Sequence, residues 1–255
     1  MWPRIAPGTR GAFFLSPAVA GRLSGITATL APGTVTAICG PNGAGKSTLL
    51  ACLAGLLPVA AGQVLLGADP VATLHPRRRA QAIGYLPQQG EIAWDVPVRT
   101  LAALGRLPHG DAGDVAVDAA LAALDLTALA GRRVSTLSGG ERARALLARV
   151  LVGTPEWVLA DEPLAALDLA HQLGLLRHLR ATAGAGAGVV LVLHDLALAM
   201  NHATRVLVLD RGRLVADGPP EQALDAATLA HVWGVEAQWL GDPGARALAT
   251  GTAKP

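Results

Sequence analysis

The stretch Gly40-Pro41-Asn42-Gly43-Ala44-Gly45-Lys46-Ser47-Thr48 constrains this chain more than any other. It follows a short apolar, β-branched run, Thr34 to Cys39, which reads as a buried strand. It opens a helical pattern, Lys46 to Leu57, that Pro58 stops. Strand, glycine turn and helix thus carry G-x-x-x-x-G-K-S. In that pattern the glycines let the backbone wrap so closely that successive N–H groups point at a phosphate. The helix adds the positive end of its dipole. Lys46 can reach β- and γ-phosphates, and the Ser47 hydroxyl can ligate Mg²⁺. Lysine usage sharpens the reading: of the 21 basic residues only Lys46 and Lys254 are lysine. A compact ammonium on a flexible stem does something at position 46 that a planar guanidinium would not.

The 255 residues are 51% hydrophobic and 16% charged, enough for one large α/β domain and too apolar for disorder. Two cysteines, Cys39 and Cys52, rule out a disulfide scaffold and fit a reduced compartment. A net charge of +2 gives no argument for a nucleic-acid partner, and Arg77-Arg78-Arg79 reads as a solvated helix face. Two stretches imitate membrane signals. Gly11 to Gly21, with Arg4 and Arg10 before it and Ala18-Val19-Ala20 near its end, resembles a secretion signal, but Pro17 interrupts it. It is better read as a first strand and turn. Leu49 to Ala68 carries no charge, but Pro58 and Gly62 break it, so a buried helix followed by a strand is expected and no membrane span.

Further strands are predicted at Gln63–Leu66, Ile83–Leu86, Trp157–Ala160, Val189–Leu193 and Arg205–Leu209, with a hairpin through Asp210-Arg211-Gly212-Arg213 into Leu214-Val215-Ala216. Leu101, Leu104, Leu121, Leu124 and Leu126 recur at helical spacing between Pro97 and Gly153, and Leu169–Leu179 is helical. Strands alternating with helices indicate a mostly parallel α/β sheet. Ala181 to Gly188 reads as a surface loop and the residues after Gly241 as a loose tail.

Two more motifs bear on chemistry. Trp157-Val158-Leu159-Ala160 runs into Asp161-Glu162-Pro163. Beside a phosphate loop, an Asp at a strand's carboxyl end can hold Mg²⁺, and Glu162, one residue on, can polarise an attacking water. Leu137-Ser138-Gly139-Gly140-Glu141 then feeds the strong helix Arg142–Val152, making a second anion-seeking helix end. Two such ends in one strand–helix layout do not readily reach one nucleotide. Two copies arranged head to tail, each offering Ser138 and Gly140 to the ATP held by the other, solve this.

With these residues in place, the sequence resembles the ATP-binding subunits of ABC transporters over nearly its whole length. Gly40–Thr48 matches their Walker A, Leu137–Glu141 their LSGGE signature and Val158–Glu162 their Walker B. Gln88, in Leu86-Pro87-Gln88-Gln89, sits at the Q-loop position, which the family uses to contact Mg²⁺ and water and to link the site to a membrane partner. Leu167-Asp168 looks like the D-loop, and His194, in Val192-Leu193-His194-Asp195, like the switch histidine at the γ-phosphate. The resemblance implies an α/β P-loop ATPase with a mixed, mostly parallel sheet and an inserted α-helical subdomain. The nucleotide-binding core would span about residues 1–84 and 154–241, and the helical subdomain about 85–153. It implies ATP and Mg²⁺ as cofactors and a head-to-tail homodimer seated peripherally on the cytoplasmic face of the inner membrane. Its partners would be integral-membrane permease subunits and, indirectly, a periplasmic binding protein.

Within the family, Gly105-Arg106-Leu107-Pro108-His109, Leu167-Asp168-Leu169-Ala170-His171-Gln172 and Asp217-Gly218-Pro219-Pro220 are similar to importers of iron(III)-siderophores, haem and cobalamin. His109, His171 and Cys39 show no recognised metal-ligand spacing. The family normally stacks adenine on an aromatic ring of the first hairpin, for which Phe13 and Phe14 are the nearest candidates. The competing reading is a soluble ABC ATPase of an assembly system such as iron–sulfur cluster biogenesis. A chromosome-maintenance type is excluded, because Ser47 to Leu137 leaves no room for a coiled-coil insert.

Overall fold

The computed structural model describes residues 11–19, 21–88 and 94–251. In chain order they form β1 (Phe13–Leu15), β2 (Ala28–Leu30), β3 (Val35–Cys39), α1 (Lys46–Leu53), β4 (Val64–Leu66), β5 (Asp69–Pro70), α2 (Pro76–Ala82) and β6 (Ile83–Leu86). Then come α3 (Val98–Ala103), α4 (Asp114–Ala123), α5 (Gly139–Val152), β7 (Trp157–Asp161), α6 (Leu169–Gly184), β8 (Gly188–Val192) and α7 (Leu196–His202). The remainder is β9 (Arg205–Asp210), β10 (Arg213–Gly218), α8 (Pro220–Ala223), α9 (Ala226–Trp233), β11 (Ala237–Leu240) and β12 (Ala247–Thr250). The main sheet has the order β10-β9-β3-β8-β7-β6, parallel except for the β9–β10 hairpin. A second, antiparallel sheet runs β2-β1-β4-β5.

The apolar runs of β3, β7 and β8 are buried at every position because both faces of the main sheet are covered. Alternation along each strand divides the core in two. Val35, Ala37, Val158, Ala160, Val189, Leu191, Val206 and Val208 face a cluster shared with α3 to α7. Ile38, Trp157, Leu159, Val190, Val192, Leu207 and Leu209 face the other, with α1 and the antiparallel sheet. Trp157 anchors that second face: Phe13 meets its ring edge-on at 4.7 Å, and its Nε1 donates to the Gly11 carbonyl at 2.5 Å. Gly188 is required beside it, since a Cβ there would lie 2.3 Å from the indole.

Between β6 and β7, helices α3, α4 and α5 pack on one another. Strand β6 covers Ile83–Leu86, the span its apolar run predicts. The arginine run on α2 is more engaged than a solvated face. Arg77 donates to the carbonyls of Pro108 (2.6 Å) and His109 (3.1 Å), and Arg78 pairs with Glu156 at 2.7 Å. No helix of the described residues is long and apolar enough to cross a membrane, and the uncharged stretch after Leu49 divides into α1 and β4.

Three expectations are corrected. Helix α1 stops at Leu53 rather than Leu57, because Gly55 takes a φ of 67° that turns the chain out of the helix. Much of the expected loop from Ala181 is helix: α6 continues to Gly184, alanine being the best helix former. The chain beyond Gly241 is not a loose tail as far as residue 251. There β12 pairs with β11, the Trp239 indole donates to the Leu224 carbonyl at 2.7 Å, and Asn201 makes two 2.8 Å bonds to the backbone of Arg246.

Candidate nucleotide-binding site

The glycine turn leaves β3 at Gly40 with a φ of 149°, and a Cβ there would lie 2.1 Å from the Leu209 carbonyl oxygen. At Gly45 φ is 99°, and a Cβ would lie 2.7 Å from the Leu23 side chain. Both positions exclude any larger residue. The Ala44 carbonyl accepts from the Gly212 N–H at 3.0 Å, which ties the turn to the β9–β10 hairpin.

Helix α1 begins at Lys46, which is only 6% exposed. Its Nζ donates to the carbonyls of Gly40 and Pro41, both at 2.9 Å. An ammonium has three N–H donors, so one remains for an incoming anion. Burial pushes its pKa down, opposed by the negative charges of Glu162 and Asp161 and by the Cys39 thiol. The site therefore holds a cation whose desolvation a phosphate would offset.

Strand β7 delivers Asp161 opposite Val192 of β8. The carboxyl is buried (3% exposed) and its Oδ1 has no hydrogen-bond partner, while a hydrogen bond from Ser47 reaches the group. Desolvation foremost, and the nearby Glu162 charge, push its pKa up; Ser47, Lys46 and His194 oppose this. An orphaned carboxylate oxygen next to a hydroxyl at the start of α1 is a donor set suited to a hard divalent cation, so these residues fit Mg²⁺.

Glu162 leaves the strand at a φ of 52°, in the left-handed region that non-glycine residues rarely adopt. Its N–H donates to the Val192 carbonyl at 3.3 Å, and its Oε1 meets Nε2 of His194. The strained backbone aims the carboxylate out of the sheet edge, where strain of this kind is commonly found at working sites.

These pieces line one cavity of about 760 Å³: Asn42, Gly43, Gly45, Lys46, Ser47 and Thr48 from the turn and α1, with Gln88, Glu162 and His194 facing them. Gly40, Pro41 and Ala44 form the rest of the turn behind that lining. The volume suits a ligand of nucleotide size. Ser138, Gly139, Gly140 and Asp168 are not among the lining residues. Ser138 caps α5: its Oγ accepts from the Glu141 N–H at 3.3 Å, and the Ser138 N–H donates to Glu141 Oε2 at 2.8 Å. That reciprocal box holds the Glu141 carboxyl below the usual range. Asp168 caps α6, accepting from the His171 N–H at 2.9 Å and meeting its ring at 2.7 Å. Both caps are exposed to solvent.

Sequence reasoning missed two cavity residues, Gly21 and Arg22. They stand in a turn of their own and belong to no local motif; Ala20, like Gln89, lies outside the described residues. Phe13 is corrected as a base-stacking candidate, because it is wholly buried against Trp157, and the half-buried Phe14 does not line the cavity either. His109 lies on the turn held by Arg77, His171 on the Asp168 cap, and Cys39 in the core, where burial pushes its thiol up to about 12.

The sequence profile of the ABC transporter family matches residues 23–165. The hemin import ATP-binding protein HmuV of Myxococcus xanthus is 44% identical over 240 residues, covering 88% of this chain and 90% of that protein. Its namesake from Nocardia farcinica is 48% identical over 209 residues, covering 80% of this chain and 73% of that protein. Among solved structures, an inward-facing transporter of metal-chelate type superposes with a TM-score of 0.78 at 26% identity, covering 94% of this chain and 96% of that one.

Proposed function

This chain belongs to the ABC transporter family, and from that premise we propose that it is the subunit that powers haem import. It is an ABC-type ATPase whose hydrolysis is coupled to transport, and its relatives are the ATPases of importers. The observation that carries the mechanistic reading is that Lys46, Ser47, Gln88, Glu162 and His194 line one cavity while Ser138 and Gly139, both exposed, and the half-buried Gly140 stand outside it. The cargo reading rests on the hemin importers among its relatives.

In this reading the N–H groups of Gly40–Thr48 and the third Nζ donor of Lys46 hold the phosphates of ATP. Ser47 and Asp161, with Gln88 beside them, would hold Mg²⁺, which neutralises charge on the β- and γ-phosphate oxygens. Glu162 orients a water in line with the γ-phosphorus and takes its proton, and His194 positions the Glu162 carboxylate. Ser138, Gly139 and Gly140 of a second copy close over the γ-phosphate with the N-terminus of α5, and Asp168 meets its counterpart across the same seam. Closing the pair and reopening it after hydrolysis moves the helical unit of about residues 85–153.

An integral-membrane permease follows that motion from a seat near Gln88, on the cytoplasmic face, and a periplasmic binding protein delivers cargo to it. Support for a docked partner comes from large apolar side chains left in water, Trp94 at 70% and Leu107 at 72% exposed. Arg149, close to Leu107 in a neighbouring cleft, is half-buried without an ion pair or hydrogen bond among the described residues.

The test is reconstitution with the permease in proteoliposomes. Haem-loaded binding protein is expected to stimulate ATP hydrolysis and haem to accumulate across the bilayer. Stimulation by a ferric siderophore or a corrinoid but not by haem would overturn the cargo, and failure to hold any permease would overturn the importer role.

A further inference from the structure

The cavity has two ends, and the main sheet distinguishes them. The glycine turn follows β3. On one side lie β8, β7 and β6, whose carboxyl ends lead to His194, Glu162 and Gln88. On the other side lie β9 and β10, joined through Arg211 and Gly212. Arg22 belongs to this second side. Its carbonyl packs so closely on the hairpin that a Cβ on Gly212 would lie 2.2 Å from it, and one on Gly45 would lie 3.1 Å from it.

The backbone of Arg22 is fixed. Its N–H and that of Leu23 both donate to the Val19 carbonyl at 2.9 Å, and Ser24 donates to the Gly212 carbonyl at 2.8 Å. Its guanidinium is exposed and makes no hydrogen bond or ion pair among the described residues. No Phe, Tyr or Trp is among the described residues that line the cavity, and the one ring there, His194, stands on the hydrolytic side against Glu162. A free cation on a braced backbone therefore stands at the end remote from the hydrolytic groups, where a triphosphate held by the turn presents its nucleoside.

We propose that Arg22 binds the purine base of the nucleotide, laying its planar guanidinium on the ring face. The assignment rests on the ATP reading of this cavity. A guanidinium is flat, always charged and weakly hydrated, which suits it to stacking on π faces. Such a contact reads the face and not the hydrogen-bonding edge, so adenine and guanine are held alike.

The experiment titrates the full chain with ATP, GTP and inorganic tripolyphosphate, each with Mg²⁺, in the parent, Arg22→Ala and Arg22→Trp. Arg22→Ala is expected to weaken ATP and GTP equally, by roughly three- to tenfold, and to leave tripolyphosphate unchanged. Arg22→Trp restores ATP and GTP binding without restoring charge. Equal weakening of tripolyphosphate would reassign Arg22 to the phosphates and overturn the proposal. So would unchanged ATP affinity in Arg22→Ala, or loss of one purine alone. A parent chain that binds neither ATP nor tripolyphosphate would instead sink the nucleotide reading itself.

Discussion

Glu162→Gln is expected to lower steady-state phosphate release by roughly 10²- to 10⁴-fold, the range for removing a positioned base, with ATP affinity nearly unchanged. The substitution keeps side-chain length and an oxygen that can still meet His194, so the left-handed turn at φ 52° and the cavity wall persist. Lys46, Ser47 and the turn N–H groups, which carry binding, are untouched. What disappears is the group that takes a proton from water. Phosphate release by the permease-bound chain, paired with an ATP titration, reads both quantities. Turnover near that of the parent would remove Glu162 from the mechanism.

Lys46→Ala is expected to act on binding itself, weakening ATP by roughly 10- to 100-fold, since a hydrogen bond to a charged group contributes about 1.5–3 kcal/mol. The ammonium sits between the Gly40 and Pro41 carbonyls, each at 2.9 Å, so its third donor is already aimed. Lys46→Arg is not expected to rescue binding. The position is 6% exposed, and a planar fork cannot occupy the volume of a compact ammonium held by two carbonyls. Calorimetric titration with ATP decides the matter, and unchanged affinity in Lys46→Ala would contradict the role given to the turn.

Much of this was legible in the sequence because the groups concerned act locally. The glycine turn needs close backbone approach at Gly40 and Gly45, which only glycine allows, so the pattern records the geometry. The apolar runs of β3, β7 and β8 announce strands covered on both faces, and the Ser138 to Glu141 spacing announces a helix start. What escaped depended on contacts distant in sequence. The strand Ala247–Thr250 looked like a tail because its anchors are Asn201 and its partner strand. Phe13 looked available for a base because nothing in its own neighbourhood reveals that Trp157 covers it. Arg22 belongs to no sequence motif, because its place at the cavity comes from packing on Gly45 and Gly212. Ala181–Gly184 was misread for a different reason: low complexity suggested a loop, whereas alanine extends α6.

The central claim is that each triphosphate is gripped by the glycine turn of one copy and the Ser138 turn of another. Its most direct measurement is oxidative cross-linking of Glu162→Gln carrying Asn42→Cys and Ser138→Cys. The two native cysteines, Cys39 and Cys52, are buried and do not compete. With ATP and Mg²⁺ present, this account predicts a covalent dimer on a denaturing gel, lost when nucleotide is omitted. A chain that binds ATP beside its permease yet runs only as a monomer would contradict it.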